Sequence, residues 1–303
     1  MKIVILLSTY NGEKYIDKQL ESIYKQNINA QLLLYVRDDG SSDKTVEKVN
    51  KWKDRINIRW ADSSKNLRSA KSFWYLLENA PEADFYAFCD QDDFWYKDKL
   101  DKAVKTIKNI KQDDTSILYF SNSRMVDENL QPINATTYPG IPILRVSAQL
   151  VCGTCQGSTM VMNFKCRQML LDKKIENLVM HDLTSILYTI INGRVIYDEQ
   201  PYLDYRQHEN NVESNINKSL FAHVKQVYGR WIKNKHLMSN QAAEILEKCG
   251  ELLNEYDRDF CKNVVVYRKS FAAKRYLLSN ASSYSNGKSA IRSFKIRILL
   301  NLF

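Results

Sequence analysis

Through the amino-terminal third of the chain, short apolar runs alternate with segments of helical spacing, and the runs end in polar clusters. Ile3 to Leu7 are consecutive aliphatic residues inside the run Lys2 to Thr9, the pattern of a strand buried on both faces. After Asn11-Gly12, Ile16, Leu20 and Ile23 recur at helical spacing within Tyr15 to Tyr24. Leu32 to Val36 predicts a second strand, closed by Arg37-Asp38-Asp39-Gly40-Ser41-Ser42-Asp43. Ser42 or Asp43 there can cap a helix running through Val46, Val49 and Trp52. Ile56 to Trp60 predicts a third strand and Ser69 to Glu78 a helix with Phe73, Leu76 and Leu77 on its apolar face. Phe85 to Cys89 predicts another strand, running directly into Asp90-Gln91-Asp92-Asp93. Elements in this order predict an α/β fold with a mostly parallel, doubly wound sheet flanked by helices. Such sheets bind ligands outside the carboxyl ends of their strands. Ser8-Thr9-Tyr10, Asp38-Asp39 and Asp90 to Asp93 all fall at those ends.

Further along, Ile117 to Ser121 predicts a strand, Asn129-Leu130-Gln131-Pro132 a turn and Thr136 to Ile143 a loop. Gln156 to Met162 predicts a strand, Lys165 to Leu171 and Asp182 to Ile191 helices, Val195 to Tyr197 a strand and Pro201 to His208 an extended segment. From Lys218 the pattern turns to helices rich in Lys, Arg, Leu and Tyr. The expected division therefore falls near Ser214, giving an α/β domain over 1–214 and a basic helical region over 215–303. With 303 residues, 44% hydrophobic and 26% charged, the chain has material for a sizeable core and no linker rich in Gly, Ser or Pro.

Charge is unevenly placed. The net +9 of the chain resolves into +10 from Lys218 to Phe303, with sixteen Lys or Arg against six Asp or Glu, and −1 elsewhere, with 28 against 29. That asymmetry points to an anionic partner for the carboxyl-terminal region. The apolar start MKIVILLSTYNG lacks a small-residue cleavage site and reads as a buried strand, not a signal peptide. No window reaches the roughly 18 apolar residues of a spanning helix, so the expected location is the cytoplasm. Six cysteines fit that compartment as reduced thiols. Cys152-Gly-Thr-Cys155 has metal-ligand spacing, but no second Cys or His pair accompanies it, which favours two packed thiols.

Asp90-Gln91-Asp92-Asp93 is the sharpest chemical feature. Three carboxylates within four residues repel one another unless a cation sits among them, and hard oxygen ligands suit Mg²⁺ or Mn²⁺. The chain has no Gly-x-Gly-x-x-Gly and no Gly-Lys-Ser/Thr loop, so a bound diphosphate must be neutralised by metal and side chains.

Ser8-Thr9-Tyr10-Asn11-Gly12, Arg37 to Asp43, Asp90-Gln91-Asp92-Asp93-Phe94-Trp95 and Tyr205-Arg206-Gln207-His208-Glu209-Asn210-Asn211-Val212 together resemble the motifs of family 2 glycosyltransferases of the GT-A fold. The last two are similar to those of bacterial rhamnosyltransferases that build cell-wall and capsular polysaccharides. The resemblance covers about residues 1 to 215. It implies a GT-A, Rossmann-like catalytic domain and an inverting transfer to a hydroxyl of a growing, lipid-linked polysaccharide. The donor it implies is a dTDP- or UDP-linked nucleotide-sugar: dTDP-rhamnose, or UDP-galactose or another hexose.

By the same resemblance, Thr9 and Asp39 would hold the nucleotide base, with Tyr10 and Glu13 close by. Asp90 would face the ribose and phosphates, Asp92 would bind the Mn²⁺ or Mg²⁺, and His208 would reach the metal or the diphosphate, accompanied by Arg206 and Asn211. Gln156 and Gly157 would form the turn beside the donor sugar, although Ser158 replaces a commoner glycine. Asp182, after His181, would take the proton from the incoming hydroxyl. One further departure stands out: relatives usually have Asn-x-Gly where this chain has Asn66-Leu67-Arg68.

At the carboxyl end, Ile291, Phe294, Ile298 and Leu302 would share one helical face beside Arg292, Lys295 and Arg297. Such a helix either lies on an anionic membrane or packs against the catalytic domain or a second subunit, as in a homodimer. Two rival functions are weaker. A nucleic-acid-binding protein leaves the acidic strand ends unexplained, because phosphate would be repelled there. A nucleotidyltransferase predicts a basic Gly-rich loop where Ser8 to Gly12 stands.

Overall fold

Ile3, Val4, Ile5, Leu6 and Leu7 are all fully buried, which requires a strand with protein on both sides. In the computed structural model, which describes residues 1–110, 115–134, 136–138, 140–208 and 220–303, this strand is β1 (Lys2–Thr9). It is followed by α1 (Ile16–Tyr24), β2 (Gln31–Asp38), α2 (Thr45–Asn50), β3 (Ile58–Trp60), α3 (Arg68–Asn79) and β4 (Phe85–Cys89). β1 pairs in parallel with β2 on one side and β4 on the other, and β2 pairs in parallel with β3. The chain thus winds outward from β1 to β3, then returns to the far side of β1. The switch point of the sheet lies between β1 and β4.

The second half adds β5 (Phe94–Trp95), α4 (Lys99–Lys108), β6 (Ile117–Val126), β7 (Pro132–Asn134), α5 (Val146–Val151), β8 (Val161–Asn163), α6 (Phe164–Asp172), α7 (His181–Asn192) and β9 (Arg194–Arg206). Among the described residues the sheet runs β3-β2-β1-β4-β8-β6-β9-β5, with β7 on β6. β8 is antiparallel to both β4 and β6, while β6 and β9 run parallel. The expected mixed, mostly parallel GT-A sheet flanked by helices is therefore found.

Side chains alternate between two cores, as the period of a strand demands. Ile3, Ile5 and Leu7 face α1 and α4, joining Leu20, Ile23, Leu100 and Val104. Val4 and Leu6 face the other way, in a core with Phe73 and Leu77 of α3 and Ile186 and Leu187 of α7. The carboxyl-terminal helices α8 (Leu220–Lys233), α9 (Leu237–Cys249), α10 (Glu255–Val266), α11 (Phe271–Ser279) and α12 (Lys288–Leu299) follow. Ala242, Ile245, Phe260, Val264, Leu277, Phe294 and Ile298 belong to that same second core. The division expected near Ser214 lies outside the described residues, and the core runs continuously from the sheet to α12.

Several expectations shift in detail. Gln156 to Met162 is not one strand: Gly157–Thr159 forms a 3-10 turn and only β8 is extended. Val195 to Tyr197 and Pro201 to His208 are halves of the single strand β9, which absorbs its polar middle through register shifts against β6. α5 and the two-residue β5 had no counterpart in the sequence reading. The expected face of α12 is turned inward: Phe294 and Ile298 are buried, which is the packed alternative for the tail.

Candidate active site

The amide side chain of Gln91 binds the end of β4 to the end of β1. Its Oε1 accepts from the Tyr10 N–H at 2.9 Å and its Nε2 donates to the Tyr10 carbonyl at 2.9 Å. Gly12 is required by this contact, since a Cβ there would lie 2.1 Å from Gln91 Oε1. The loop after β1 is also tied to the loop after β2: Ser42 N–H donates to Asn11 Oδ1 at 2.8 Å and Gly12 N–H to Thr45 Oγ1 at 2.8 Å. The carboxylate of Glu13 accepts from the Lys44 N–H at 3.0 Å. Glu13 therefore braces these two loops. Tyr10 is half exposed at their rim.

At the end of β2, Asp38 accepts from Thr9 Oγ1 at 2.9 Å, Ser41 Oγ at 2.6 Å and the Ser41 N–H at 2.8 Å. Asp39 accepts from the Leu67 and Arg68 N–H groups, each at 2.7 Å, and pairs with the buried guanidinium of Arg37. Arg37 also donates to the Lys65 carbonyl and to Ser72 Oγ. Thr9 and Asp39 thus sit side by side at the strand ends, and Asp39 fastens the segment leading into α3. A carboxylate offers about four acceptor sites, so Asp39 retains capacity for a further donor.

Asp90 and Asp92 sit at the end of β4, two strands from Asp39 and so about 10 Å across the sheet. The carboxyl of Asp90 is pushed up to about 8, first by burial and then by the facing carboxylates of Asp92 and Asp182. Carboxyl groups from two distant segments therefore lie near enough to feel one another's charge. His208 Nε2 lies 2.8 Å from Asp92 Oδ2. The His208 ring stacks on Tyr15, with 4.7 Å between centroids, and the Arg206 guanidinium lies 4.6 Å from the same Tyr15 ring. Arg206 Nε donates to the Asp92 carbonyl at 2.7 Å. Asn211 lies outside the described residues.

Asp93 does not join this group. It is fully buried, accepts from the Arg206 N–H at 3.3 Å, and its carboxyl is pushed well above its usual range by burial and by Asp92 and Asp90. It anchors the motif to β9, while Asp90 and Asp92 are only partly buried at the strand end.

Asp182, in the first turn of α7, completes the convergence. Its Oδ1 accepts from the Leu183 N–H at 2.7 Å and its Oδ2 from the Gly157 N–H at 3.3 Å. His181 is wedged between Phe73 and Phe88, with ring centroids at 4.2 and 4.7 Å, and burial lowers its basicity. A Cβ on Gly157 would lie 2.3 Å from His181 Nε2. The turn at Gln156-Gly157 is therefore pressed directly onto the His181-Asp182 pair. Gln156 itself accepts from Ser123 Oγ of β6. Cys152 and Cys155 are free thiols, and burial followed by Asp182 raises the Cys155 thiol well above its ordinary value.

Among the described residues, no three His, Cys, Asp or Glu side chains lie together so that they could hold a metal ion. Asp92 with His208 offers an oxygen and a nitrogen converging from two strand ends. Such a pair fits Mg²⁺ or Mn²⁺ of the kind that takes its remaining ligands from substrate phosphates. The mutual repulsion of Asp90, Asp92 and Asp182 favours positive charge at the same place.

Sequence reasoning missed Gln91, Arg37 and Tyr15. Each acts through a partner far away in the chain, and only the run of residues around Gln91 offered a signal.

The family described as glycosyl transferase family 2 matches residues 4–169. The dTDP-rhamnosyl transferase RfbG of Shigella flexneri is 25% identical over 299 residues, covering 90% of this chain and 97% of its own length. Among solved structures, TarS of S. aureus, residues 1–349 in complex with UDP-GlcNAc, superposes with a TM-score of 0.63 at 20% identity, over 100% of this chain and 84% of that one. The mannosyltransferase PcManGT of Pyrobaculum calidifontis, in complex with GDP-Man and Mn²⁺, gives 0.54 at 16% identity, over 100% and 87%.

Proposed function

The chain belongs to glycosyl transferase family 2, and on that premise we propose that it is an inverting sugar transferase acting in the synthesis of a cell-envelope polysaccharide. The observation behind this reading is the convergence of Asp90, Asp92 and Asp182, with His208 on Asp92, at the switch point of the sheet. The donor proposed is dTDP-L-rhamnose, supported by the near full-length similarity to a dTDP-rhamnosyl transferase. A UDP-hexose is the second reading, supported by the shorter similarity to WfgD of Escherichia coli, named as a UDP-Glc-dependent β-1,3-glucosyltransferase, at 32% identity over 129 residues. The acceptor is a hydroxyl of a growing, lipid-linked saccharide.

In this mechanism Thr9 and Asp39 hold the base, with Tyr10 at the rim and Glu13 bracing the loops. Asp90 lies toward the ribose and phosphates. Asp92 and His208 would hold Mg²⁺ or Mn²⁺, whose charge would stabilise the leaving diphosphate. Gln156 and Gly157 shape the wall beside the sugar, where the absence of a side chain at 157 leaves room for the His181 ring. Asp182 accepts the proton of the acceptor hydroxyl as its oxygen bonds to the anomeric carbon. The bond from that carbon to the diphosphate breaks, its electron pair leaving with the diphosphate oxygen. A single displacement of this kind inverts the anomeric centre.

A panel of dTDP- and UDP-sugars, each with Mg²⁺ or Mn²⁺, should show nucleotide release from one donor even without acceptor. The expected result is turnover of dTDP-rhamnose with turnover lost in chelator. Release from a UDP-hexose alone would replace the donor assignment, and release from none of them would remove the transferase reading.

A further inference from the structure

α12 has two faces, and only one is used in packing. Phe294 and Ile298 point into the core, while Arg292, Lys295, Ile296, Leu299 and Leu300 form an exposed stripe at helical spacing on the other side. Leu299 is 58% exposed and Leu300 48%. Lys274 Nζ of α11 donates to the Asn301 side chain at 2.9 Å, which brings the start of α11 to the end of this stripe. One turn before Lys274 is Phe271, the most exposed large apolar residue described, at 83%. Lys269, also exposed, precedes it.

The charge around this corner is one-sided. From Phe260 to Phe303 the sequence has nine Lys or Arg and no Asp or Glu. Exposed phenylalanine and leucine on a stretch whose only charged side chains are cations is a combination that water solvates poorly and that few partners match.

We infer that this corner, formed by the start of α11 and the outward face of α12, docks on an anionic lipid bilayer. Phe271, Leu299 and Leu300 enter the acyl boundary, while Lys269, Arg292 and Lys295 meet the headgroup phosphates. A second copy of the chain matches less well, because a symmetric contact sets the same cations against each other. A nucleic acid would use the cations and the Phe271 ring, but gains nothing from the aliphatic Ile296, Leu299 and Leu300, which offer no stacking surface. The bilayer alone accommodates both halves of the pattern. Docking there needs neither donor nor acceptor, so it stands or falls separately from the transferase assignment.

Flotation of the full chain with vesicles of phosphatidylcholine, alone or mixed with phosphatidylglycerol, tests the inference. Binding is expected to the mixed vesicles only, and to weaken as salt rises. Replacing Phe271, Leu299 and Leu300 together by Ser should weaken partitioning by about tenfold or more, and Lys269, Arg292 and Lys295 together by Gln should do the same. All six are exposed, so circular dichroism and the thermal midpoint should match the parent. The inference is overturned if the parent does not float with phosphatidylglycerol vesicles, or if both variants float as well as it does. It is overturned equally if the serine variant converts a dimer to a monomer while flotation is unchanged, or if the same residues govern retention on DNA in place of vesicles.

Discussion

At Arg68 the backbone turns left-handed, with φ at 62°, a conformation that glycine adopts freely and other residues at a cost of about 1 kcal/mol. This gives a physical reason for the glycine that the family resemblance leads one to expect here: the turn lets the Leu67 and Arg68 amides both reach Asp39. Arg68→Gly should therefore stabilise the protein by about 1 kcal/mol, raising the thermal midpoint by about 2 °C. A drop in the midpoint would show that the arginine side chain makes up for its backbone. Asp182 invites the opposite experiment. Asp182→Asn keeps an acceptor for the Leu183 amide but removes the proposed base, so kcat should fall by about 10²- to 10⁴-fold with little change in donor KM; a loss confined to KM would point to donor binding instead. Lys99 supplies a pH signature. It is buried with Nζ 3.8 Å from the Trp95 ring centre, and burial draws its pKa down to about 7, against the pull of Cys89 and Asp93. Between about 7 and the ordinary value of 10.5, the unfolded chain binds a proton that the native one lacks, so stability should climb with pH across that window. Lys99→Met should flatten the climb and be more stable than the parent by about 1 kcal/mol at pH 7, as read from urea melts. The meeting of Asp92 with His208 was legible from their motifs, because each stands in a recognisable run of sequence. Gln91 and Arg37 were not, since their roles exist only once Tyr10, Lys65 and Ser72 have been brought to them.

Elements were readable where the core dictates them. β1 and β4 are buried on both faces and so appear as unbroken apolar runs, while α1 and α3 each turn one apolar stripe inward. α5 was hidden because six residues buried all round show no periodicity, and β5 because its two residues owe their extension to β9. What no local pattern could disclose is how the carboxyl-terminal helices reach the proposed base. Glu244 of α9 is buried and accepts from the Glu176 and Asn177 N–H groups at 2.7 and 3.0 Å, in the segment that leads into α7 and Asp182. Asp257 of α10 likewise accepts from the Ser147 N–H at 2.9 Å in the first turn of α5. Glu244→Ala should leave two amides unsatisfied, costing about 1–3 kcal/mol. It should also speed hydrogen exchange at 176 and 177 and lower kcat by about tenfold through a displaced Asp182. Unchanged exchange at those amides would mean that the segment holds itself in place.

The two regions expected on either side of residue 214 share one hydrophobic core. Phe73 and Leu77 of α3, Ile186 and Leu187 of α7, Ile245 of α9, Phe260 of α10 and Phe294 of α12 belong to a single buried cluster. Removing α9 to α12 would bare the faces of α5 and α7 that they cover, together with the amides held by Glu244 and Asp257. Burial of one large aliphatic or aromatic side chain is worth about 1.5–3 kcal/mol, and several would be uncovered at once, more than the roughly 5–15 kcal/mol stability of a typical domain can absorb. A chain ending at residue 214 should therefore fail to accumulate as a folded protein. The full chain should lose near-ultraviolet dichroism and helical signal in one coincident urea transition. Two separated transitions, or a folded and active 1–214 fragment, would show that the shared core is a contact between independent units. Because α7 carries the proposed base on the face of the core opposite α1, one transition would also mean that the two sides of the proposed site are stabilised together. Loosening of the helical region would then reach the chemistry without touching a single residue of the cleft.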